Sequence, residues 1–291
     1  MPTPQRWLAN DRPTLMAVVN VNADSFSDPR QHGPADPLAM ARQARHDGAA
    51  VIDLGAQSAA LAAALVPAQV QRDALVPLVA ELAGDGAIVS VDTYDPLVAT
   101  ATLAAGATIL NDYSGRCEPA LVAAVVDADA HYVLTHNPVG PRQRQTDPSF
   151  YGDVVDDVVR FFETALIELA TAGLPADRVV LDPGVDVAKT PAQSLALLRG
   201  ADRLRAAFDN PLLWAISRKD VVGAVTGRTP AQRDPGTLAL VARFATTART
   251  LLRVHDVRGA VDHLAMVDAL DGRSELPTGL LLDDALRREV D

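Results

Sequence analysis

Eight short apolar runs, each closed by a polar residue, constrain this chain more than any other feature. Asn20 follows the run 15–19, Asp53 follows Val51-Ile52, Asp92 closes 88–91 and Asn111 closes 108–110. Further on, His136 follows 132–135 and Asp182 follows 179–181. Ser217-Arg218-Lys219 follow 212–216, and His255 follows 251–254. Short continuous apolar runs are the signature of parallel strands whose faces are covered by helices. A polar group at the same end of all eight would ring one mouth of a barrel, where such folds keep their chemistry.

Helical patterns fill the intervals. They are expected over residues 37–47, 69–82, 119–126, 153–172, 193–208, 235–250 and 258–270, with a further helix opened by Asp95-Pro96 and stopped by Gly106. In 69–82 the apolar residues Val70, Leu75, Leu78, Val79 and Leu82 keep close to the helical period. Gly48 and Gly173 act as stops, and proline is tolerated in a first turn. Strand and helix thus alternate eight times, which favours closure into a (β/α)8 TIM barrel over a doubly wound open sheet. At 291 residues the chain has room for one such barrel, typically ~250 residues, plus short extensions. A single α/β domain over 1–291 is expected, with its core at about 15–270 and with 1–13 and 275–291 lying over the barrel ends.

The net charge of −11 argues against a nucleic acid or an anionic membrane as partner. It leaves room for a small anionic substrate held by local cations. The lone Cys117 excludes a disulfide framework or a cysteine-based zinc site. No apolar signal segment follows Gln5-Arg6-Trp7-Leu8. The longest weakly polar stretch, 59–70, is interrupted by Pro67 and is too short to span a bilayer. A cytoplasmic enzyme is the expectation.

The segment Met16-Ala17-Val18-Val19-Asn20-Val21-Asn22-Ala23-Asp24-Ser25-Phe26-Ser27-Asp28 resembles the first-strand signature of dihydropteroate synthases. The resemblance continues at Ser90-Val91-Asp92-Thr93-Tyr94, Ala107-Thr108-Ile109-Leu110-Asn111-Asp112, and Leu181-Asp182-Pro183-Gly184 with Lys189. It extends through Ser217-Arg218-Lys219 to Arg253-Val254-His255-Asp256-Val257. Six matches in register, over about 15–270, are specific where one would be weak. The resemblance implies a pterin-binding barrel that condenses hydroxymethyl-dihydropterin pyrophosphate with p-aminobenzoate to give dihydropteroate, a folate precursor. It also implies Mg2+ as cofactor and a homodimer. By resemblance, Asp182 accepts hydrogens from the amino-pyrimidine edge, Asn111 matches donor and acceptor together, and Asp92 lies near the ring nitrogens. Asp92 would stabilise cationic character on the pterin methylene as pyrophosphate departs. Arg253 offers a guanidinium fork for phosphate oxygens and His255 a further donor. Asn20 resembles the residue that helps hold Mg2+ on the pyrophosphate. Lys219 resembles the lysine set between the pterin and aminobenzoate sites, with Arg218 in support.

The match fails in one half of the site. Where the family reads Gly-Gly-Glu-Ser-Thr-Arg-Pro-Gly, this chain has Gly55-Ala56-Gln57-Ser58-Ala59-Ala60-Leu61-Ala62, so the Thr and Arg positions hold Ala59 and Ala60. The aromatic expected after Asp-Pro-Gly is Val187, and the serine after Ser-Arg-Lys is Asp220. In the first loop Asn22-Ala23 replace Thr-Pro, and Asn137 stands where a Met follows the strand-five His. An aspartate facing the aminobenzoate carboxylate at about 4 Å would repel it by ~4 kcal/mol at an effective dielectric of 20. The p-aminobenzoate subsite therefore reads as rebuilt, and three outcomes stay open: compensating loops, transfer to another amine, or a pterin-binding paralogue without catalysis. A methyltetrahydrofolate methyltransferase is the remaining rival, opposed by the phosphate-compatible Arg253 and His255.

Plainer roles compete at several positions. Asp53 reads as a loop anchor, Asp112 as structural, and Asp220 as a partner of Lys219 or a helix cap. Lys189 is either a loop anchor or a site residue. His131 and His263 read as structural, His32 and His46 as surface residues, and residues 59–65 as a helical extension.

Overall fold

Alternation by twos within each strand decides what faces the barrel interior. In the computed structural model, which describes residues 11–21, 36–57 and 63–287, β1 (Thr14–Asn20), β2 (Val51–Gly55), β3 (Ile88–Asp92) and β4 (Ile109–Asp112) are followed by β5 (His131–Thr135), β6 (Val179–Asp182), β7 (Leu212–Ala215) and β8 (Thr250–Val254). Each strand pairs in parallel with the next, and β8 returns to β1, so the sheet closes. Met16, Val51, Ile109, Val133, Val180, Leu213 and Leu251 form one apolar layer inside the barrel. Two residues further along their strands stand Asp53, Asn111, Asp182 and Arg253, on the same inward face. The polar floor of the mouth is thus the next layer above a dry one.

Outside, α1 (Pro37–His46), α2 (Ala68–Gly84), α3 (Pro96–Ala104), α4 (Pro119–Asp127) and α5 (Val154–Thr171) cover the first strands. The circle is completed by α6 (Pro191–Arg199), α7 (Ala201–Ala207), α8 (Asp220–Thr226), α9 (Asp234–Arg243) and α10 (Val257–Leu270). The outward faces of the strands and the inner faces of these helices make the larger core, in which Trp214 stacks on Phe244 with centroids 4.8 Å apart. Helix starts are written locally. Asp36, Asp95, Glu118, Asp153 and Asp256 each accept a backbone N–H as N-caps, and Thr190 forms a capping box with Gln193. Proline opens α1, α3, α4 and α6.

The expected barrel and its alternation are present, with four corrections. The helix expected over 193–208 is two, α6 and α7, broken at Gly200, where an added Cβ would meet Val155 Cγ2 at 2.5 Å. The helix expected over 235–250 ends at Arg243, and Thr250 already belongs to β8. A short helix, α8, follows β7 without having been expected. The helical extension expected over 59–65 is not found in its described part. There the Gln57 side chain accepts from Val66 N (2.7 Å) and donates to Ala64 O (3.2 Å), satisfying the backbone in a loop instead. Ala59 and Ala60, and the first-loop residues from Asn22 to Asp28, lie outside the described residues.

Candidate functional site

Asp53 belongs to the polar floor of the mouth and was expected to be no more than a loop anchor. It is fully buried in β2 and pairs in register with Ser90. Its Oδ1 accepts from Ser90 Oγ (2.6 Å), while Oδ2 accepts from Asn111 Nδ2 (3.1 Å) and Arg253 Nε (2.6 Å). Asp92 sits beside it, opposite Asn111 in the β3–β4 register, and receives Arg253 Nη2 at 3.0 Å. Four strands therefore converge on one network of Asp53, Ser90, Asp92, Asn111 and Arg253. The fork of Arg253, expected to meet phosphate, is engaged by two carboxylates through Nε and Nη2. Of its five N–H donors, those on Nη1 are not used by this pairing.

Burial decides the electrostatics. It raises Asp92 above the usual carboxylate range, with the Arg253 charge opposing and Asp53 reinforcing the shift. It raises Asp182 likewise, against a hydrogen bond from Gly184 N to Oδ1 (2.8 Å) and the charge of Lys219. Burial works against the Arg253 charge, yet Asp53 and Asp92 outweigh it and hold the guanidinium above its ordinary value. Burial and the cations Arg218 and Arg253 push His255 down to about 3, so its ring is neutral near pH 7. Ser217 Oγ accepts from the His255 backbone N–H (3.2 Å) and lies 2.9 Å from Nδ1. If the Ser217 O–H donates to Nδ1, the ring proton stands on Nε2.

Lys219 is half-buried after β7, and its ammonium makes no hydrogen bond or ion pair with the described residues. Its charge is nevertheless felt by Asp92, Asp182 and His255, which places it among them. Arg218 is turned away: its guanidinium takes both oxygens of Asp234 at 2.8 and 3.1 Å. Asn20 is half-buried at the end of β1, two strands from Asp92. No group of three or more His, Cys, Asp or Glu side chains that could cage a metal occurs among the described residues. One amide oxygen from Asn20 suits Mg2+, which commonly keeps several waters and takes its other ligands from substrate phosphates.

The expected repulsive subsite is softer than its sequence suggests. Asp220 begins α8, and its Oδ1 accepts from Arg233 Nη1 at 2.9 Å, not from Lys219. Its side chain is 65% exposed, and it lines a cavity of about 430 Å³ with Arg144, Asp186 and Lys189. Val187 stands next to that cavity, between Asp186 and Ala188, both in the left-handed region at φ 60° and 51°. Its carbonyl accepts from Lys189 Nζ (3.1 Å), which also donates to Gly184 O (3.0 Å) and lies 2.8 Å from His136 Nδ1. Lys189 is therefore a loop anchor, and burial lowers its ammonium to about 7. Burial and Lys189 hold His136 well below its ordinary value. Asp112 takes Tyr132 Oη at 2.5 Å and Ser114 N at 2.7 Å, a tie within the wall.

Two buried carboxylates, an amide and an unpaired ammonium around a neutral imidazole suit a flat heterocycle with a donor-rich edge and an anionic tail. The sequence model described as pterin binding enzyme matches residues 16–255, the whole circuit from β1 to the end of β8. The chain belongs to the pterin-binding enzyme family. Within that family it is similar to the type-2 dihydropteroate synthase of Escherichia coli, 34% identical over 260 residues, 88% of this chain and 95% of that one. The dihydropteroate synthase of Mycobacterium leprae is 34% identical over 263 residues, 88% of this chain and 92% of that one. Solved structures agree. The Yersinia pestis dihydropteroate synthase with a sulfonamide drug superposes with a TM-score of 0.82 at 32% identity, covering 90% of this chain and 95% of that one. The Xanthomonas albilineans enzyme in complex with 7,8-dihydropteroate gives 0.77 at 34%, covering 90% and 94%. The chain is a dihydropteroate synthase-like member of the pterin-binding family.

Proposed function

We propose that this pterin-binding protein takes hydroxymethyl-dihydropterin pyrophosphate and transfers its pterin-methyl group to an aromatic amine. The observation that carries this reading is the convergence of Asp92, Asn111, Asp182, Lys219, Arg253 and His255 on one barrel mouth. Asp182 accepts hydrogens from the amino-pyrimidine edge through the oxygen not used by Gly184, and Asn111 meets the neighbouring edge with a donor and an acceptor. The amine nitrogen attacks the exocyclic methylene as its C–O bond breaks, the electron pair leaving with pyrophosphate. Asp92 stabilises the cationic character that develops at that carbon, where buried charge acts strongly. Lys219 lies between the pterin and the incoming amine. Arg253 Nη1 and the neutral His255 ring bind the leaving pyrophosphate, and Asn20 is the residue that would hold a Mg2+ there. That ion, when bound, neutralises phosphate charge.

The acceptor is the open part of the reading. Ala59, Ala60, Val187 and Asp220 stand where the resemblance expects the p-aminobenzoate subsite, and we propose that they favour a different aromatic amine. We further propose a single-domain, homodimeric protein acting in the cytoplasm. Among the described residues no helix is long and apolar enough to cross a membrane. Titration calorimetry with the pterin pyrophosphate and, in its presence with pyrophosphate, p-aminobenzoate tests the substrate reading. Pterin binding with weak aminobenzoate binding is expected, and absence of pterin binding would overturn the assignment. Product analysis with a panel of aromatic amines identifies the acceptor. Release of pyrophosphate separates a transferase from a pterin-binding paralogue without catalysis.

A further inference from the structure

Asp53 has a burial that stability alone does not explain. A carboxylate with no exposed surface loses several kcal/mol of hydration, and one layer below it the barrel is filled by Met16, Val51, Ile109, Val133, Val180, Leu213 and Leu251. Replacing a buried ion pair by apolar groups is often neutral or stabilising. A chain selected for packing only could have continued that dry layer upward. Instead β2 supplies a carboxylate whose two oxygens accept from Ser90 Oγ, Asn111 Nδ2 and Arg253 Nε at 2.6, 3.1 and 2.6 Å.

We propose that Asp53 is a positioning residue of the pterin site, fixing the orientation of the Asn111 amide and the Arg253 guanidinium from beneath. An ionised carboxylate has no hydrogen to give, so it accepts only from the nitrogen end of the Asn111 amide. The Asn111 oxygen and second N–H are then left for a ligand, and a 180° flip, which would present the opposite pattern, is opposed. The same oxygen of Asp53 takes Arg253 Nε, so the guanidinium plane is set while Nη2 reaches Asp92 at 3.0 Å. Ser90 Oγ, opposite Asp53 in the register, holds the carboxylate in turn. Asp53 need not touch the pterin: it acts through Asn111 and Arg253.

This inference rests on the pterin reading of the site, and its test separates the two. Native protein, Asp53→Asn and Ser90→Ala are titrated with hydroxymethyl-dihydropterin pyrophosphate from about pH 5 to 9, with Tm recorded for each. Asp53→Asn is expected to weaken binding roughly ten- to a hundredfold, the size of a charged hydrogen bond converted at 1.4 kcal/mol per tenfold. It should also move the acid limb of the binding profile to lower pH. Asp92 is faced by Arg253 from β8, Asp53 from β2, Asp112 from β4 and Lys219 after β7, and the variant removes one of its two repelling neighbours. A purely structural role would lower Tm and leave the affinity of the folded fraction and its acid limb unmoved. That result overturns the inference. Should Asp53→Asn fail to fold, Ser90→Ala decides: a weakening of about three- to tenfold supports the inference and native affinity overturns it. Native protein that binds no pterin pyrophosphate would overturn the site reading and, with it, the role given to Asp53.

Discussion

A single substitution at the mouth, Asp220 in place of serine, illustrates how exposure sets the size of a charge effect. At an effective dielectric of 20, two like charges about 4 Å apart repel by ~4 kcal/mol, and in bulk water by only ~1 kcal/mol. The 65% exposed carboxylate, already paired with Arg233, belongs nearer the second limit. Asp220→Ser is therefore expected to improve the KM for p-aminobenzoate by roughly fivefold, not a thousandfold. Steady-state assays of the two proteins check this, and an unchanged KM would remove charge from the explanation of acceptor choice. A sharper loss is expected at Asp182. Asp182→Asn keeps the size of the side chain and replaces one acceptor oxygen by a donor group, so pterin affinity should fall about a hundredfold or more by calorimetry. Asp92, Asn111, Asp182 and His255 were legible because each ends an apolar run, and Lys219 and Arg253 were legible through the family resemblance. Asp53 was not recognised, although it stands two residues after Val51 as Asn111 does after Ile109 and Arg253 after Leu251. Period-two parity was the signal that separates it from a loop anchor, since closing an apolar run does not by itself say which way a side chain faces. The partners Arg233 and Asp234, by contrast, come from a distant helix start, and no local pattern in the sequence announces such pairs.

At the scale of elements, the loop after β6 shows how a mouth is stiffened without a disulfide or a metal. Asp186 and Ala188 hold left-handed backbone that costs non-glycine residues roughly 1–2 kcal/mol each, and Lys189 closes the turn through Gly184 O, Val187 O and His136. Burial drops Lys189 from an ordinary 10.5 to about 7. Between those values the unfolded chain carries a proton that the folded one does not, so unfolding takes up a proton and stability rises with pH across the window. The contribution disappears as pH falls through about 7. Lys189→Met should flatten the climb in unfolding free energy between pH 7.5 and 9.5, measured by urea titration. A climb equal to that of the native protein would show that the ammonium is not neutralised by the fold. The alternation of these elements was readable from starts and stops such as Asp95-Pro96, Gly106 and Gly173. The break at Gly200 was not, and the contact that reserves that position for glycine comes from Val155 on another helix. Thr250 was assigned to a helix because an apolar period does not by itself say where a helix yields to a strand.

Across the whole molecule the barrel is not equally stitched. The β1–β2 and β2–β3 seams carry five registered pairs each, whereas β6–β7 carries one, Leu181 with Leu212. That seam lies directly below the two loops, 183–190 and 216–220, that border the cavity lined by Asp220 and Lys189. Its lower end is held by a side chain in place of a ladder: buried Asn210 donates to Ala176 O (2.7 Å) and Val179 O (3.0 Å), and Arg205 Nη1 donates to Asn210 O (2.9 Å). Asn210→Ala would leave two carbonyls at this seam without their donor, costing about 2–3 kcal/mol, or roughly 5–10 °C in Tm for a domain of this size. Hydrogen exchange should show the consequence locally, since low-stability regions open without global unfolding. Amides of Leu181, Asp182 and Leu213 are expected to exchange faster in the variant, while those of Ile52 and Val89 remain protected. Uniform acceleration around the barrel would mean instead that the eight strands open as one unit and that the short seam has no separate stability. Because Asp182 ends one side of this seam and Lys219 follows the other, a looser β6–β7 contact should also weaken pterin binding, with little change in the bound pH profile.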